Sequence, residues 1–564
     1  MKKTTPRNLS YKISGILFVL GLAACQNPFF PHYPDKGASA WPIAHSPQGG
    51  LDSSQLLFPS GSAIWARSAA SGPSNSFFVS TAVDSSGNVY AAGFQSGGPY
   101  VYGTVSLPGL GEYLNPVLVK YDPMGKVLWA RSISYSQSPY PESCFNAVET
   151  DKFGNIIVAG YFNGDSINKF GDKSVKGKSS SNNPLLIKYN TNGEVLWVRT
   201  LESCPGSSYG EFSSVALDDS GNIYVAGCLS YNGDDAPYSF GYDSVPLETI
   251  SGAGYGGYWW NNCVPILVKY SGDGRAQWAK TIKSTTDDTV SASFLSLTVQ
   301  QDGNEVFIYA AGEQRGENAG GIIQYGTSEA AKIPIISGGI SENPLLVKYD
   351  AQGDAVWART FLQGLSAVFN SVAVGQGGAI FAAGSQTGCL DYDYGNGAVA
   401  NGFCETEGYN PILVMYNSYG EAQWARSSSQ NPDFAYYSSV AVDGEGNAYA
   451  AGYQVGEMSY QYGSIVSEGK CPGGNSLLVK YDKSGTAIWA KTINGITNDH
   501  APYDFSLPTS VLNDVAADRR GFVYTAGVFS TLEYTDYGDG QTDETRVKGF
   551  TEMHLSPVLV KYRQ

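Results

Sequence analysis

The sequence has no excess of basic residues and no long apolar run beyond its first 25 residues, and each absence excludes a class of protein. It carries 35 lysines and arginines against 51 aspartates and glutamates, which gives a formal charge of −16 at pH 7. Such a surface repels phosphates, so nucleic acid is excluded as a partner. A membrane-spanning helix needs about 20 consecutive apolar residues, and no later stretch supplies them.

Helical periodicity and the familiar catalytic motifs are missing as well. Short apolar runs bounded by Gly, Asp and Asn replace the i, i+3, i+4 pattern of helices, which predicts an all-β chain. No Walker, nucleophile-elbow or HExxH pattern occurs. Asp122, Gly125 and Trp129 do not have the spacing of a sialidase Asp-box, and the cofactor-binding constellation of a quinoprotein dehydrogenase is missing. We therefore expect neither enzymatic activity nor a cofactor.

Residues 1–24 have the features of a secretory signal peptide: a basic start, an apolar run and small residues at its end. The tetrapeptide that ends at Cys25 is Leu-Ala-Ala-Cys and matches the bacterial lipobox, in which the cysteine is acylated. The alternative is an ordinary signal peptide that happens to contain a cysteine. Residues 25–60 are rich in Pro, Gly and Ser and predict a flexible tether. The sequence thus predicts membrane anchoring through a lipid on Cys25.

Residues 61–564 contain a repeat of four strand-like pieces. One piece ends in Ala-Gly, the next ends in Lys-Tyr or Met-Tyr, and the last carries a tryptophan followed by a small residue and a basic one. The tryptophans are Trp65, Trp129, Trp197, Trp278, Trp357, Trp424 and Trp489. The first tryptophan has no Lys-Tyr unit before it, and the last Lys-Tyr unit has no tryptophan after it. The two halves of the repeat are therefore out of step by one.

This offset predicts how the repeats assemble. Asp/Asn-x-x-Gly turns join the pieces into antiparallel hairpins, and four-stranded antiparallel units repeated seven times are typical of a β-propeller. The segment from Gly61 to Ser68 resembles the tryptophan strand that follows Tyr481. We expect a seven-bladed propeller in which this N-terminal strand completes the C-terminal blade and closes the ring. The repeated tryptophans should then pack between blades as core residues.

The repeats also resemble a known family. The strings SGNVYAAG at residues 86–93 and SGNIYVAG at residues 220–227, with the VLW and AIW strands, resemble the bacterial SBBP-type β-propeller repeat. Residues 291–312 and 371–384 depart from its Ser-Gly-Asn turn. The resemblance implies a propeller fold and a lipoprotein in the cell envelope. It implies no catalytic residues.

Binding is expected in the long, variable connections between the second and third strands. The segment with Tyr255, Tyr258, Trp259 and Trp260 concentrates aromatic residues outside the repeat, which favours a ligand contact, although the loop could equally pack on itself. His500 and His554, near Asp499, form a weak candidate metal site.

An aromatic-Gly pair recurs in the same connections and is interpreted as a structural turn. This interpretation weakens, without removing, the alternative that the acidic pieces from Asp391 to Asp393 and from Asp536 to Asp543 bind calcium.

Seven cysteines besides Cys25 fall in or next to the long connections, which favours disulfide staples of exported loops over core thiols. Each of two pairs brackets one loop, and a third pair is a weaker candidate. The candidate bridges are Cys228 with Cys263, Cys389 with Cys404, and Cys144 with Cys204.

The function predicted from these features is a lipid-anchored, monomeric binding or adhesion module of the outer membrane or cell surface, with a protein or glycan ligand. A non-catalytic scaffold in envelope assembly is the alternative, and a propeller enzyme comes third. The ligand, the periplasmic or external orientation and the disulfide connectivity stay open.

Overall fold

The computed structural model describes residues 59–564 except 205–207, 231–237, 242–244, 247–262, 287–289, 340, 403–407, 430–433, 498–508, 532–533, 539–541 and 551–553. The predicted signal peptide, Cys25 and nearly all of the predicted tether thus lie outside the described residues. Within the described part, no helix has the length and apolarity needed to cross a membrane.

The described chain is all-β and contains seven four-stranded antiparallel units, each of which we call a sheet, together with small two- and three-stranded sheets and short 3-10 turns. Five of the units are separate, whereas the last two belong to one ten-stranded sheet, in which a parallel bridge between Gly474 and Thr509 joins them. We number the sheets along the chain. In order from first to fourth strand, sheet 1 is Ser76–Val83, Val89–Ser96, Leu114–Tyr121, Val127–Arg131; sheet 2 is Ser143–Thr150, Ile156–Asn163, Asn182–Tyr189, Val195–Arg199; sheet 3 is Gly210–Leu217, Ile223–Ser230, Cys263–Tyr270, Ala276–Lys280; sheet 4 is Ser291–Asp302, Glu305–Arg315, Asn343–Tyr349, Ala355–Arg359; sheet 5 is Ala367–Val374, Ile380–Thr387, Tyr409–Tyr416, Ala422–Arg426; sheet 6 is Ala435–Val442, Ala448–Val455, Gly474–Tyr481, Ala487–Lys491; sheet 7 is Thr509–Ala517, Phe522–Ser530, Ser556–Arg563 and, from the other end of the chain, Ala63–Ser71.

Sheet 7 contains the pairing that the sequence offset predicts. The strand Ala63–Ser71 runs antiparallel to Ser556–Arg563, with Arg67 opposite Leu559. The turn geometry of the other sheets is reproduced across this break, because Gly61 N–H donates to the carbonyl of Arg563 at 2.9 Å as Gly125 N–H donates to that of Asp122. Strands from the two ends of the described chain therefore share one sheet.

Each connection between second and third strands carries a small hairpin, which we call the satellite hairpin of that sheet. The hairpins are Tyr100–Tyr102 with Val105–Leu107, Ile167–Phe170 with Lys173–Lys176, Ser239–Phe240 with Val245–Pro246, Ile322–Gln324 with Lys332–Pro334, Asp391–Asp393 with Val399–Asn401, Ser459–Tyr462 with Ile465–Glu468, and Tyr534–Asp536 with Arg546–Lys548. The aromatic-Gly pairs lie at their turns: Tyr102 is completely buried and Gly103 has φ 58°. The structural interpretation of that motif is confirmed.

The sheets join through hydrogen bonds between their first strands, and no sheet closes on itself. A serine hydroxyl in one first strand accepts from a backbone N–H in the next, as Ser80 does from Val148 at 3.2 Å and Ser439 from Val515 at 3.3 Å. At the corresponding position of sheet 7, the Asp514 carboxylate accepts from Thr81 N–H of sheet 1 at 2.7 Å. Sheet 7 thus contacts sheet 1 in the way that consecutive sheets contact each other.

The tryptophan motif joins the outer edges of neighbouring sheets. Trp129 Nε1 donates to the carbonyl of Thr191 at 3.2 Å, in the turn between the third and fourth strands of sheet 2. The Arg131 guanidinium lies 5.1 Å from the Trp129 ring centroid, and its Nε donates to the Gly193 carbonyl at 2.7 Å. Trp65 and Arg67 of sheet 7 make the equivalent bonds to the turn of sheet 1. The expectation that these tryptophans pack between units is confirmed: four are buried and the other three, Trp129, Trp197 and Trp278, are half-buried.

Candidate functional site

Two ends of the sheets can be compared directly. Turns between the first and second and between the third and fourth strands lie at one end, which we call the short-turn face. The connections between sheets and the bases of the satellite hairpins lie at the other end, which we call the long-loop face. From there the hairpins run along the outer fourth strands, so that Gly103 at a hairpin turn lies against Val127.

The short-turn face repeats closely in most sheets, and in sheet 2 it contains a buried ion pair. The Lys188 ammonium lies 3.0 Å from the Asp151 carboxylate, and both side chains are almost fully buried. Sheet 5 has lost both partners together, since Gly375 and Met415 occupy the two positions. A pocket of about 290 Å³ between sheets 2 and 3 is lined by this same pair and by adjacent turn residues. The Lys188–Asp151 pair therefore serves the fold, since each partner compensates the charge of the other in a buried position.

The residues singled out for ligand and metal binding are mostly outside the described residues. Tyr255, Tyr258, Trp259, Trp260 and His500 all lie there, and the binding roles assigned to them stay predictions. His554 lies just before the third strand of sheet 7 and is partly exposed. In the part of the chain that the structure describes, no group of three or more His, Cys, Asp or Glu side chains is arranged to hold a metal ion.

The cysteines divide into three groups. Cys389 is disulfide-bonded, and its predicted partner Cys404 lies outside the described residues. Cys228 and Cys263 are thiols whose sulfurs lie 2.9 Å apart, longer than the ~2.05 Å of a disulfide. Cys144 and Cys204 are also thiols rather than a bridge. These predicted bridges stay predictions.

Two cysteines are buried among apolar side chains: Cys144, whose predicted bridge to Cys204 stays a prediction, and Cys471, which none of the predicted bridges includes. Cys144 is completely buried against Phe77 and Val511 in an apolar cluster, and Cys471 is completely buried in the cluster between sheets 6 and 7. Both cysteines come from the ends of strands or loops that turn inward, where a small apolar side chain fills space.

The repeat fails at the long-loop ends of the first two strands, where two side chains face each other across the strand pair. In sheets 6, 7, 1 and 2 these pairs are apolar or aromatic: Tyr436 with Tyr453, Val511 with Val528, Phe77 with Phe94, and Cys144 with Tyr161. In sheet 3 the pair is Glu211 with Cys228, and in sheet 4 it is Ser293 with Glu313. One side of this end of the molecule is therefore apolar and the other carries carboxyl groups.

Glu211 is a buried carboxyl group with an unfilled hydrogen-bonding position. It is 2% exposed, the Tyr209 hydroxyl hydrogen-bonds to it, and its Oε2 atom has no hydrogen-bond partner. Burial raises the pKa of Glu211 to about 7, because the charged form loses its hydration. Leaving a buried acceptor unpaired costs about 1–3 kcal/mol, so this oxygen favours a donor that binds from outside the chain.

Glu313, Arg315 and Glu342 form an ion triad beside Glu211. Nη2 of Arg315 lies 3.1 and 3.2 Å from the two Glu313 carboxylate oxygens and 2.9 Å from Glu342 Oε1. The Ser366 hydroxyl donates to the other Glu342 oxygen, while Nε of Arg315 has no hydrogen-bond partner. Burial raises the pKa of Glu313 although Arg315 opposes the shift. Two carboxylates share one guanidinium, so the triad keeps a negative charge.

Four exposed aliphatic side chains lie next to this triad, on and around the satellite hairpin of sheet 5. They are Leu362 at 62% exposure, Leu365 at 48%, Leu390 at 56% and Val399 at 45%. Leu362 N–H donates to the Asp393 carbonyl at 2.6 Å, and Asp393 pairs with Val399 across the hairpin. We call these four residues the leucine patch. Ser366, which bonds to Glu342, follows Leu365 directly, so the patch and the triad are adjacent.

Glu211, Glu313, Arg315 and Glu342, together called the acidic sector, were missed by sequence reasoning. One signal was available. We compared the residue that follows the Ala-Gly pair in the second strand of each sheet. Only Glu313 is charged among these residues, which are Phe94, Tyr161, Cys228, Glu313, Ser385, Tyr453 and Val528. Superposing the seven repeats at this position would have identified sheet 4 as unusual.

Comparison with known proteins gives a distant likeness only. No family model matches the chain, so the SBBP-type resemblance stays a prediction. An uncharacterised WD repeat-containing protein of Acanthamoeba polyphaga mimivirus is 25% identical over 476 residues, which cover 75% of this chain and 32% of that protein. The chain therefore spans about a third of that relative's length.

Solved structures match over most of the chain at low scores. A chain of the mitotic checkpoint complex has a TM-score of 0.38 at 8% identity and covers 94% of this chain and 99% of its own. A protein of unknown function from Dyadobacter fermentans has a TM-score of 0.33 at 10% identity and covers 75% of this chain and 95% of its own. Likenesses at these scores carry no conclusion about function.

Proposed function

We propose that the chain is a closed seven-bladed β-propeller that binds a macromolecular partner through its long-loop face. Support for the ring comes from the Ala63–Ser71 strand in sheet 7 and from the Thr81 to Asp514 hydrogen bond between sheets 7 and 1. The strand from the other end of the chain gives sheet 7 its fourth strand, so that Ser556–Arg563 is paired on both sides instead of forming an edge.

One observation carries the binding role: in sheets 3 to 5, buried carboxyl groups and exposed leucines replace the repeat pattern on the long-loop face. A position that needs only to hold the fold keeps the repeat residue, as the short-turn face does. Departure from the repeat on variable connections above a rigid scaffold is typical of a binding surface. The proposal assigns the chain no catalysis.

The proposal places this propeller in the bacterial envelope, tethered by residues 25–60 to a lipid on Cys25. Metabolic labelling with an alkynyl fatty acid should mark the wild type and leave Cys25→Ser unlabelled. Equal labelling of both proteins would contradict the anchor.

The binding role is tested by immobilised protein and glycan arrays probed with the purified chain and with two variants. Leu362→Ser alters the long-loop face and Tyr419→Ser alters the short-turn face, where Tyr419 is 75% exposed. We expect a ligand whose signal falls with Leu362→Ser and persists with Tyr419→Ser. A ligand lost only with Tyr419→Ser would overturn the assignment of the face. Protection of the chain from protease in intact cells would favour the envelope scaffold over surface adhesion.

A further inference from the structure

We propose that the acidic sector and the leucine patch together bind a basic segment of a protein partner. A lysine ammonium or arginine guanidinium of that segment lies against the carboxyl groups of Glu211, Glu313 and Glu342, and its neighbouring aliphatic side chains cover the leucine patch. This inference rests on the proposed function, since it names the chemistry of the partner for the long-loop face.

The charge of the sector selects a cation. Arg315 is the only cation bonded to Glu313 and Glu342 among the described residues, and it leaves the triad one negative charge in excess. Glu211 adds a carboxyl group that shares the environment of the Cys228 thiol with Glu313. The whole chain carries a formal charge of −16, which steers a basic partner towards it and repels anionic lipid and nucleic acid.

The hydrogen-bonding state of Glu211 selects a donor. Its Oε2 is buried and has no partner, whereas Glu149, whose pKa burial also raises to about 7, accepts from Thr150 N–H at 2.8 Å. An ammonium or guanidinium group supplies both the missing hydrogen bond and the opposite charge. A charge-assisted bond of this kind is about twice as strong as one between neutral groups.

The leucine patch selects a segment that is apolar beside its cation. Its four side chains are between 45% and 62% exposed and lie in or near one satellite hairpin, and Leu365 directly precedes Ser366, which bonds to Glu342. Apolar surface rimmed by charged groups is the common composition of protein interfaces. A metal ion would leave this patch uncovered, and a free amine would too.

The test measures fluorescence anisotropy of two labelled peptides of equal length, one of leucine and lysine and the other of leucine and glutamate. We expect the wild type to bind the lysine peptide at least about tenfold more tightly than the glutamate peptide, which corresponds to about 1.4 kcal/mol. Glu342→Gln and Leu362→Ser should each weaken binding of the lysine peptide about fivefold or more.

Two variants on the short-turn face serve as matched controls. Glu445→Gln removes the same charge, and Tyr419→Ser removes an exposed apolar side chain, so both should keep wild-type affinity. Equal weakening by Glu445→Gln and Glu342→Gln would mean that only net charge matters and would overturn the inference. Failure of the wild type to prefer the lysine peptide would overturn it as well. If an array ligand depends on the long-loop face yet ignores Glu342→Gln, the inference fails while the proposed function stands.

Discussion

The two faces of this molecule are built from the same seven repeats, but the residues vary less between repeats on the short-turn face than on the long-loop face. On the short-turn face, a buried lysine lies beside a turn aspartate, and tryptophan and arginine bond to the next sheet. On the long-loop face, the same strands end in tyrosine and valine in some sheets and in glutamate in others. In a repeat protein, positions that keep the same residue are those where neighbouring sheets must pack together, and positions that vary are those where they need not.

The largest effect is expected from breaking the contacts between sheets on the short-turn face. Trp65 is 2% exposed, packs against Tyr524 and donates to the Pro123 carbonyl of the next sheet. Trp65→Ala should lower the free energy of unfolding by about 3–5 kcal/mol, since a large buried ring leaves a cavity. Urea denaturation measures this loss. Tyr419→Ala, an exposed control on the same face, should change it by less than about 0.5 kcal/mol.

The next largest effect is expected from separating the Lys188–Asp151 ion pair on that face, which tests whether the two residues act as a unit. Lys188→Met alone leaves the Asp151 carboxylate buried without its cation and should destabilise the fold by about 3 kcal/mol. Adding Asp151→Asn should restore part of that loss, because sheet 5 lacks both charged partners and still forms its four strands. A double-mutant cycle from denaturation curves gives the coupling. Strictly additive losses would show that the two residues act separately.

On the long-loop face, removing a buried charge should stabilise the fold instead. Burial holds the pKa of folded Glu211 at about 7, above the 4.5 of an ordinary glutamate, so the folded chain binds the proton more tightly. Glu211 therefore lowers the free energy of unfolding as pH rises from about 4.5 to 7, and the cost is fully present above pH 7. Glu211→Gln should raise stability by about 2–3 kcal/mol at pH 8 and have little effect at pH 4. Thermal unfolding at both pH values checks this, and equal effects at the two values would contradict it.

The smallest effect on stability is expected at the leucine patch. Leu362 is 62% exposed, so Leu362→Ser should change the free energy of unfolding by less than about 0.5 kcal/mol. The same variant should weaken binding of the lysine peptide about fivefold, which separates a surface for a partner from a surface for the fold. Thermal unfolding and anisotropy on one preparation measure both quantities. A large loss of stability would show that Leu362 belongs to the core.

Much of the fold could be predicted from the sequence because the repeat is recognisable from its recurring motifs. The Asp-x-x-Gly turns predict the hairpins, and the unpaired Trp65 unit predicts that the Ala63–Ser71 strand joins the last sheet. The candidate site was much less predictable. Glu211 and Glu313 are ordinary in sequence, and their chemistry comes from burial and from Arg315, which only the packing of sheets 3 and 4 reveals. The burial of Cys144 and Cys471 could not be predicted for the same reason, since depth is not visible in a loop-like sequence.

Hydrogen–deuterium exchange of the full chain, with and without the leucine and lysine peptide, tests most directly whether binding is confined to the long-loop face. If the long-loop face binds the peptide, exchange should become slower at residues 209–211, 313–315, 360–366 and 390–401. Exchange at the turns 84–88, 122–126 and 443–447 should stay unchanged. Protection confined to those turns, or no protection on the long-loop face at saturating peptide, would contradict the division of the molecule into one face for architecture and one for binding.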